Sequence, residues 1–295
     1  MWRRSLGSLS SRGSRNLRWS KVPDILNDYK NAGTVLQDAV KTLRTNIRFS
    51  SVDNPIKTIV MTSVLPHEGK STLSIFLGIA MAEIGQKTLL IECDCRKPML
   101  RNYFNIRPQY GIMDVLRREV AADKAVVHTQ QAGLDVLSST VLANPVEILG
   151  SERMQTMIGE FNKIYDVIIL DTPPLGSFIE AAVLASKADG TVLVINQGST
   201  QIERARAVVS QLEKAKAHVL GVVLNNVEMS SSDYYYSDYY YRDGRKKKRK
   251  HKSESTETPV NVRRTSADTG RTNNGVQGRN TKSRKITGVE EGTEK

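Results

Sequence analysis

No run in this 295-residue sequence approaches the roughly 18 consecutive apolar residues of a membrane-spanning helix, so it is not expected to cross a bilayer by itself. The first residues, Met1-Trp-Arg-Arg-Ser, are basic but lack a following apolar run. That argues against a secretory leader and points to the cytoplasm. Cysteine is nearly absent: Cys93 and Cys95 stand two apart in Glu92-Cys-Asp-Cys-Arg96. Neighbours on one face of an extended segment make poor disulfide partners, and with no histidine nearby they read as small buried residues ending a strand rather than as metal ligands. Acidic residues are missing from Met1–Lys21, which holds six basic ones, and Arg242–Lys295 holds 16 basic against 7 acidic. Between them Val22–Tyr241 carries 21 basic and 24 acidic residues, so the tails are +6 and +9 and the core is −3. The globular part is therefore not a basic nucleic-acid-binding domain, and nucleic acid is not an expected partner.

With 39% hydrophobic residues, the chain has the size of one α/β domain with polar extensions. Residues 1–22 are Ser-, Gly- and Arg-rich and are expected to be disordered. In residues 23–56, Leu36, Val40, Leu43 and Ile47 form one helical stripe, with Asp38, Lys41, Arg44 and Arg48 beside it. From spacing alone that charged row is a solvated face.

Residues 57–228 alternate short β-branched runs with helical patterns. Strands are expected at Thr58–Met61, Thr88–Glu92, Leu134–Leu137, Asp166–Leu170, Thr191–Ile195 and Val219–Leu224. Helices are expected at Lys70–Ile84, Ile112–Arg118, Val146–Phe161, Phe178–Lys187 and Gln201–Ala215. Runs such as Val167-Ile-Ile-Leu170 are apolar at every position, as strands covered on both faces require. The expected fold class is α/β: a doubly wound, mostly parallel sheet with helices on both faces, its ligand beyond the carboxyl ends of the strands. Residues 229–241 hold a tyrosine cluster, and residues 242–295, opening with the basic hexamer Arg245–Lys250, are expected to be disordered.

The first strand runs into Thr62-Ser-Val-Leu-Pro-His-Glu-Gly-Lys-Ser-Thr72 and then a helix. Gly69-Lys70-Ser71 is the heart of a phosphate-binding loop. The loop Pro66–Thr72 aims its backbone N–H groups and the positive helix end at phosphate, Lys70 reaches the β and γ groups, and the Ser71 hydroxyl can ligate Mg²⁺. Val64 replaces the first glycine of the strict pattern. His67 reads as a loop residue, because the backbone does the phosphate work. Glu92 and Asp94 end one buried strand, two apart and on one side, and Asp171 ends another, followed by Thr172-Pro-Pro174. In one parallel sheet these acids converge on the metal that bridges the phosphates.

At these residues the sequence resembles the bacterial tyrosine kinases (BY-kinases) of capsular and exopolysaccharide synthesis, related by fold to the septum-placing and partitioning ATPases. The resemblance runs from about Leu36 to Tyr241. Ser63–Thr72 resembles the family's Walker A, Leu90–Pro98 its A′ motif and Ile168–Pro174 its Walker B. Asn144–Leu149 is similar to a family stretch between them, and a C-terminal tyrosine cluster completes the pattern. Glu92 stands where the A′ motif has Asp. Asp38-x-x-Lys41-x-x-Arg44 stands where the family's ring-forming helix has Glu-x-x-Arg-x-x-Arg, so Lys41 lacks the planar fork of arginine. Leu65 occupies the place of the signature lysine of partitioning ATPases, which favours the kinase branch over a nucleotide-switched dimer.

The resemblance implies ATP and Mg²⁺ as cofactors, with Lys70 neutralising charge and Ser71, Asp94 and Asp171 holding the ion. It favours Asp94 as the phenol's proton acceptor, with Glu92 the alternative. Arg96 either contacts phosphate or partners the acids, and Asn225 either contacts adenine or caps a turn. It further implies autophosphorylation at Tyr234, Tyr235, Tyr236, Tyr239, Tyr240 and Tyr241, a homo-oligomeric ring, protein tyrosine substrates, a cognate phosphatase and a separate transmembrane activator that recruits the chain to the inner membrane face. Full phosphorylation of the cluster adds about −9 to −12 charges beside the +9 tail, enough to draw the hexamer off an anionic leaflet.

Overall fold

The computed structural model describes residues 25–51 and 54–227. The two expected disordered tails and the tyrosine cluster lie outside the described residues. The elements run α1 (Ile25–Asn31), α2 (Gly33–Phe49), β1 (Thr58–Ser63), α3 (Lys70–Ala82), β2 (Thr88–Glu92), α4 (Leu100–Phe104), α5 (Ile112–Leu116), α6 (Ala122–Ala125), β3 (Val126–His128), β4 (Leu134–Leu137), α7 (Pro145–Leu149), α8 (Glu152–Phe161), β5 (Val167–Asp171), α9 (Glu180–Ala185), β6 (Gly190–Asn196), α10 (Ile202–Lys214) and β7 (Val219–Asn225). The strands form one seven-stranded sheet in the order β3-β4-β2-β5-β1-β6-β7, parallel except for β3 against β4.

Both faces of the central strands β1, β2, β4, β5 and β6 are buried, which is why they are largely apolar, whereas β7 at one edge is only partly covered and exposes Val222 and Leu224. Val60, Leu89, Ile91, Ile168, Leu170 and Leu193 face a core shared with α5 and α7–α10, among them Leu149, Met157, Leu184 and Leu212. Their alternating neighbours Ile59, Met61, Leu90, Ile169, Val192 and Val194 face the opposite core, built on α1–α4. The chain winds to one side of β1 through α3 and later returns to the other, so β1 lies between β5 and β6. The crevice of such a sheet opens at the carboxyl ends of the central strands.

Three local features depart from the sequence reading. Val146–Phe161 is two helices, because the Ser151 hydroxyl accepts from the Met154 N–H (3.2 Å) and starts α8 afresh. The helix expected from Phe178 begins only at Glu180. Strand β3 is an antiparallel edge of three partly exposed residues, too short to show a period.

The Leu36–Ile47 stripe packs on the core with Val40 and Ile47 buried. Beside it, the Arg44 guanidinium donates to the Ala80 carbonyl (2.6 Å) near the end of α3, a favourable place for a cation. None of the described helices is long and apolar enough to cross a membrane.

Tyr29 of α1 packs on Phe76 (ring centroids 5.1 Å apart), and its buried hydroxyl has no hydrogen-bond partner. Burial, and then the Glu83 charge, push its pKa up to about 12. Tyr29→Phe removes the orphaned group and is expected to stabilise the fold by about 1 kcal/mol, roughly 3 °C in Tm. The native protein ionises more readily unfolded than folded, so Tyr29 costs it stability as pH rises from about 10 to about 12. The phenylalanine variant should escape that loss in thermal melts. A lower Tm for the variant at neutral pH would contradict this account.

Candidate active site

The loop between β1 and α3 is shaped by backbone conformation and by one buried carboxylate. His67 (φ 67°) and Gly69 (φ 89°) are left-handed, which turns the chain sharply into Lys70. Glu68 is buried. Its Oε2 accepts the Leu65 N–H (2.7 Å), while Oε1 accepts the Asn196 N–H (3.1 Å) and the Thr200 hydroxyl. The Glu68 side chain thus braces the loop against the end of β6, and its carbonyl accepts from the Asn225 amide (2.9 Å) at the end of β7. Pro66 and His67 are exposed at the loop's crest, and Thr72 is half-buried in the first turn of α3.

The opposite wall follows β5. The Thr172 hydroxyl donates to the Met61 carbonyl (2.9 Å), the Thr62 hydroxyl to the Pro173 carbonyl (2.9 Å) and the Leu175 N–H to the Ser63 carbonyl (2.8 Å). A Cβ on Gly176 would collide with the Val64 carbonyl, so only glycine lets the two loops close on each other.

Between these walls Lys70, Ser71, Asp94 and Asp171 come together. The Lys70 ammonium lies 3.0 Å from Asp94 Oδ2 and 4.0 Å from Asp171 Oδ1, and it donates to the Ser71 hydroxyl (3.2 Å). Burial alone would lower the Lys70 pKa, but the charges of Asp171 and Asp94 outweigh it and hold the pKa above its ordinary value. Burial raises Asp171, against the pull of Lys70 and of hydrogen bonds from Ser71 and Ser74. Asp94 Oδ1 accepts the Lys97 N–H (3.1 Å), which tightens the turn after β2. Two carboxylates and a hydroxyl are hard oxygen donors, few enough that phosphate and water must complete the set, as Mg²⁺ prefers. Among the described residues no group of three or more His, Cys, Asp or Glu side chains could hold a metal by itself.

The remaining site residues lie at the same end of the sheet in different roles. Glu92 accepts the Met99, Leu100 (2.7 Å) and Ser139 (2.9 Å) N–H groups, so it caps α4 and ties β2 to the segment after β4. Its longer side chain spans to these amides rather than to Lys70, although burial still raises its pKa. Arg96 donates through Nε to Glu180 Oε1 (2.7 Å) and lies over the Phe178 ring, 4.3 Å from its centroid. Cys93 and Cys95 are buried free thiols; burial raises Cys93 well above its ordinary value and pushes Cys95 up to about 11, so both are inert.

A family model described as an AAA domain matches residues 56–226, more than half of the chain. The tyrosine-protein kinase YwqD of Bacillus subtilis is 36% identical over 228 residues, 77% of this chain and 92% of that protein. The chain belongs to the bacterial tyrosine kinases. Among solved structures, the chimerical protein CapA2B2 is similar with a TM-score of 0.66 and 28% identity, covering 70% of this chain and 91% of that one. The kinase domain of the Escherichia coli tyrosine kinase ETK is similar with a TM-score of 0.65 and 26% identity, over 74% and 87%. As a bacterial tyrosine kinase of P-loop fold the protein binds nucleotide, and the loop of residues 64–71 is the part of its sheet that suits phosphate.

One residue of this tyrosine kinase escaped the sequence reading, and another, Glu68, was placed in the loop without its bracing role. Glu180 is a fully buried acid in the apolar run Phe-Ile-Glu-Ala-Ala, and a charge in such a run was the available signal. The bracing role of the Glu68 side chain carried no signal, since its partners Asn196 and Thr200 lie some 130 residues away.

Proposed function

We propose that this tyrosine kinase transfers the γ-phosphoryl group of ATP to its own tyrosines at 234, 235, 236, 239, 240 and 241, and so regulates capsular or exopolysaccharide synthesis. The observation that carries this reading is the Lys70 ammonium lying between Asp94 and Asp171 at the loop-to-helix turn, in a chain whose next segment holds six tyrosines. Lys70 neutralises charge on the transferring group, as a P-loop lysine does. Ser71, Asp94 and Asp171 hold Mg²⁺, which supplies further charge neutralisation on the phosphates. Of the two acids offered as base, Asp94 is favoured. It is bound by one N–H and the Lys70 ammonium, whereas Glu92 is saturated by three backbone donors. Asn225 holds the Glu68 carbonyl and steadies the loop, leaving its amide oxygen for the base. From Asn225 to Tyr234 is nine residues, at most about 30 Å extended. That reach serves the chain's own site or that of a neighbour.

Similarity to the chimerical CapA2B2 supports a separate transmembrane activator, which would recruit the chain to the inner membrane face together with the hexamer Arg245–Lys250. Ring assembly would use α2. There Asp38 and Lys41 pair at 3.8 Å and Asp38 Oδ2 is buried without a partner, while Arg44 is already committed to Ala80. Other protein tyrosines and a cognate phosphatase complete the set of partners.

Incubation with Mg-ATP, alone and with cytoplasmic segments of candidate activators, followed by mass spectrometry of residues 228–245, tests the reading. Phosphotyrosine confined to the cluster is expected. ATP hydrolysis that leaves the cluster unmodified with every activator would instead favour a nucleotide-dependent dimerisation switch.

A further inference from the structure

Arg96 is held more firmly than a rim residue requires. Its Nε–H is bound to Glu180, whose side chain is fully buried, and its guanidinium plane rests on Phe178. Glu180 Oε2 has no hydrogen-bond partner, so the buried carboxylate has Arg96 as its one salt bridge among the described residues. A buried carboxylate with one partner is costly and contributes little to stability, but it fixes the direction of that partner. With Nε and one face of the guanidinium engaged, the two terminal nitrogens are what Arg96 presents outward, and its side chain is 39% exposed. That pair of terminal N–H groups binds a carboxylate end-on.

The position of this edge matters. Arg96 follows Asp94, the proposed proton acceptor, by two residues in the turn drawn tight by the bond from the Lys97 N–H to Asp94. Exposed Lys97 lies beside it, so the rim next to the base is basic. The segment that has to enter this rim is acidic and repetitive: Ser232-Asp-Tyr-Tyr-Tyr236 is followed at once by Ser237-Asp-Tyr-Tyr-Tyr241. In both copies an aspartate stands immediately before the first tyrosine. Consecutive Cα atoms are about 3.8 Å apart. A tyrosine whose hydroxyl reaches Asp94 brings the residue before it to the rim of the same turn, where Arg96 stands two residues from Asp94.

We propose that Arg96 is a specificity-determining residue that binds the carboxylate immediately before the acceptor tyrosine, with Glu180 and Phe178 as its positioning residues. The substrate class is then tyrosine preceded by an acidic residue, here Tyr234 and Tyr239. This rests on the kinase reading above and deepens it. Tyr235, Tyr236, Tyr240 and Tyr241 lack an acidic predecessor and are modified more slowly.

The test uses the full chain, Mg-ATP and peptides of residues 228–242 carrying Asp or Asn at both 233 and 238, with phosphotyrosine read by mass spectrometry. The Asn peptide should show a KM about fivefold higher, with kcat within about twofold. In Arg96→Ala the two peptides should share one KM. Glu180→Ala should raise the KM of the Asp peptide alone, and Glu180→Asp should recover part of it. Equal KM values for both peptides on the native chain would overturn the inference, as would an undiminished preference in Arg96→Ala. Should Arg96→Ala not turn over, fluorescence anisotropy of the labelled peptides with ADP bound decides the same question. Discrimination present in the native chain and lost in the variant supports the assignment, and discrimination retained overturns it. Absence of phosphotyrosine from both peptides, with the activator segments of the preceding experiment also added, would count against the kinase reading instead, and the binding arm would still decide the role of Arg96.

Discussion

Lys70→Met is expected to lower phosphotyrosine formation by about 10³-fold. Among the described residues the ammonium is the one cation whose contacts reach both acids, at 3.0 Å from Asp94 and 4.0 Å from Asp171. Methionine keeps the length of the side chain and loses the charge, so the effect should fall on turnover. A second signature lies in stability. Asp171 is buried and its pKa is already raised, with Lys70 pulling it down. Without Lys70 it rises further. A carboxyl with a raised folded-state pKa favours the native state below its unfolded value, near 3.9, and that advantage is lost as pH rises through the folded value. The Tm deficit of the variant should therefore be small near pH 4 and grow towards pH 8. Calorimetry across that range checks it; a deficit independent of pH would show that Asp171 does not feel Lys70, and unchanged phosphorylation would remove Lys70 from the mechanism.

Glu68→Ala should cost about 3 kcal/mol of stability, or roughly 10 °C in Tm, and weaken nucleotide binding with it. Three donors converge on that carboxylate, from Leu65, Asn196 and Thr200. Alanine strands the Asn196 N–H in the interior and frees the phosphate loop from β6. Glu68→Gln, which retains an acceptor oxygen, should lose less. Melting curves and titration with ADP measure both effects. A Tm within 1 °C of the native value would mean that the loop is held by its backbone turns alone.

What could be read in the amino-acid order was whatever repeats locally. The β-branched runs gave β2 and β4 to the residue, and Gly69-Lys-Ser71 with Asp94 and Asp171 at or just past strand ends gave the cluster that the sheet then gathers around Lys70. Side chains whose partners are distant were not legible. Glu92 looked like a candidate base because it shares a face with Asp94; its three amides come from Met99, Leu100 and Ser139, and only the fold brings Ser139 to it. Arg96 left two roles open until Glu180, 84 residues on, took its Nε. The break at Ser151 escaped because apolar spacing continues across it, while the Ser151 hydroxyl donates to the Ile148 carbonyl (2.7 Å) at the end of one helix and accepts the Met154 N–H (3.2 Å) at the start of the next.

The place of β1 between β5 and β6 sets an order of events in synthesis. β1 is the first strand made, yet both of its ladder partners lie more than 100 residues downstream: Thr58 pairs with Ile168, and Ile59 with Gly190. The loop after it gains its last braces when Thr200 and then Asn225 reach Glu68. While the ribosome is still extending the chain through the middle of the domain, β1 is an apolar strand with both edges open, the state most prone to wrong pairing. A nascent chain halted before residue 200 would carry the loop from Gly69 to Thr72 and both acids, Asp94 and Asp171, and still lack two of the braces that shape the loop. The interval in which the strand stands open is set by how quickly the rest of the sheet follows it.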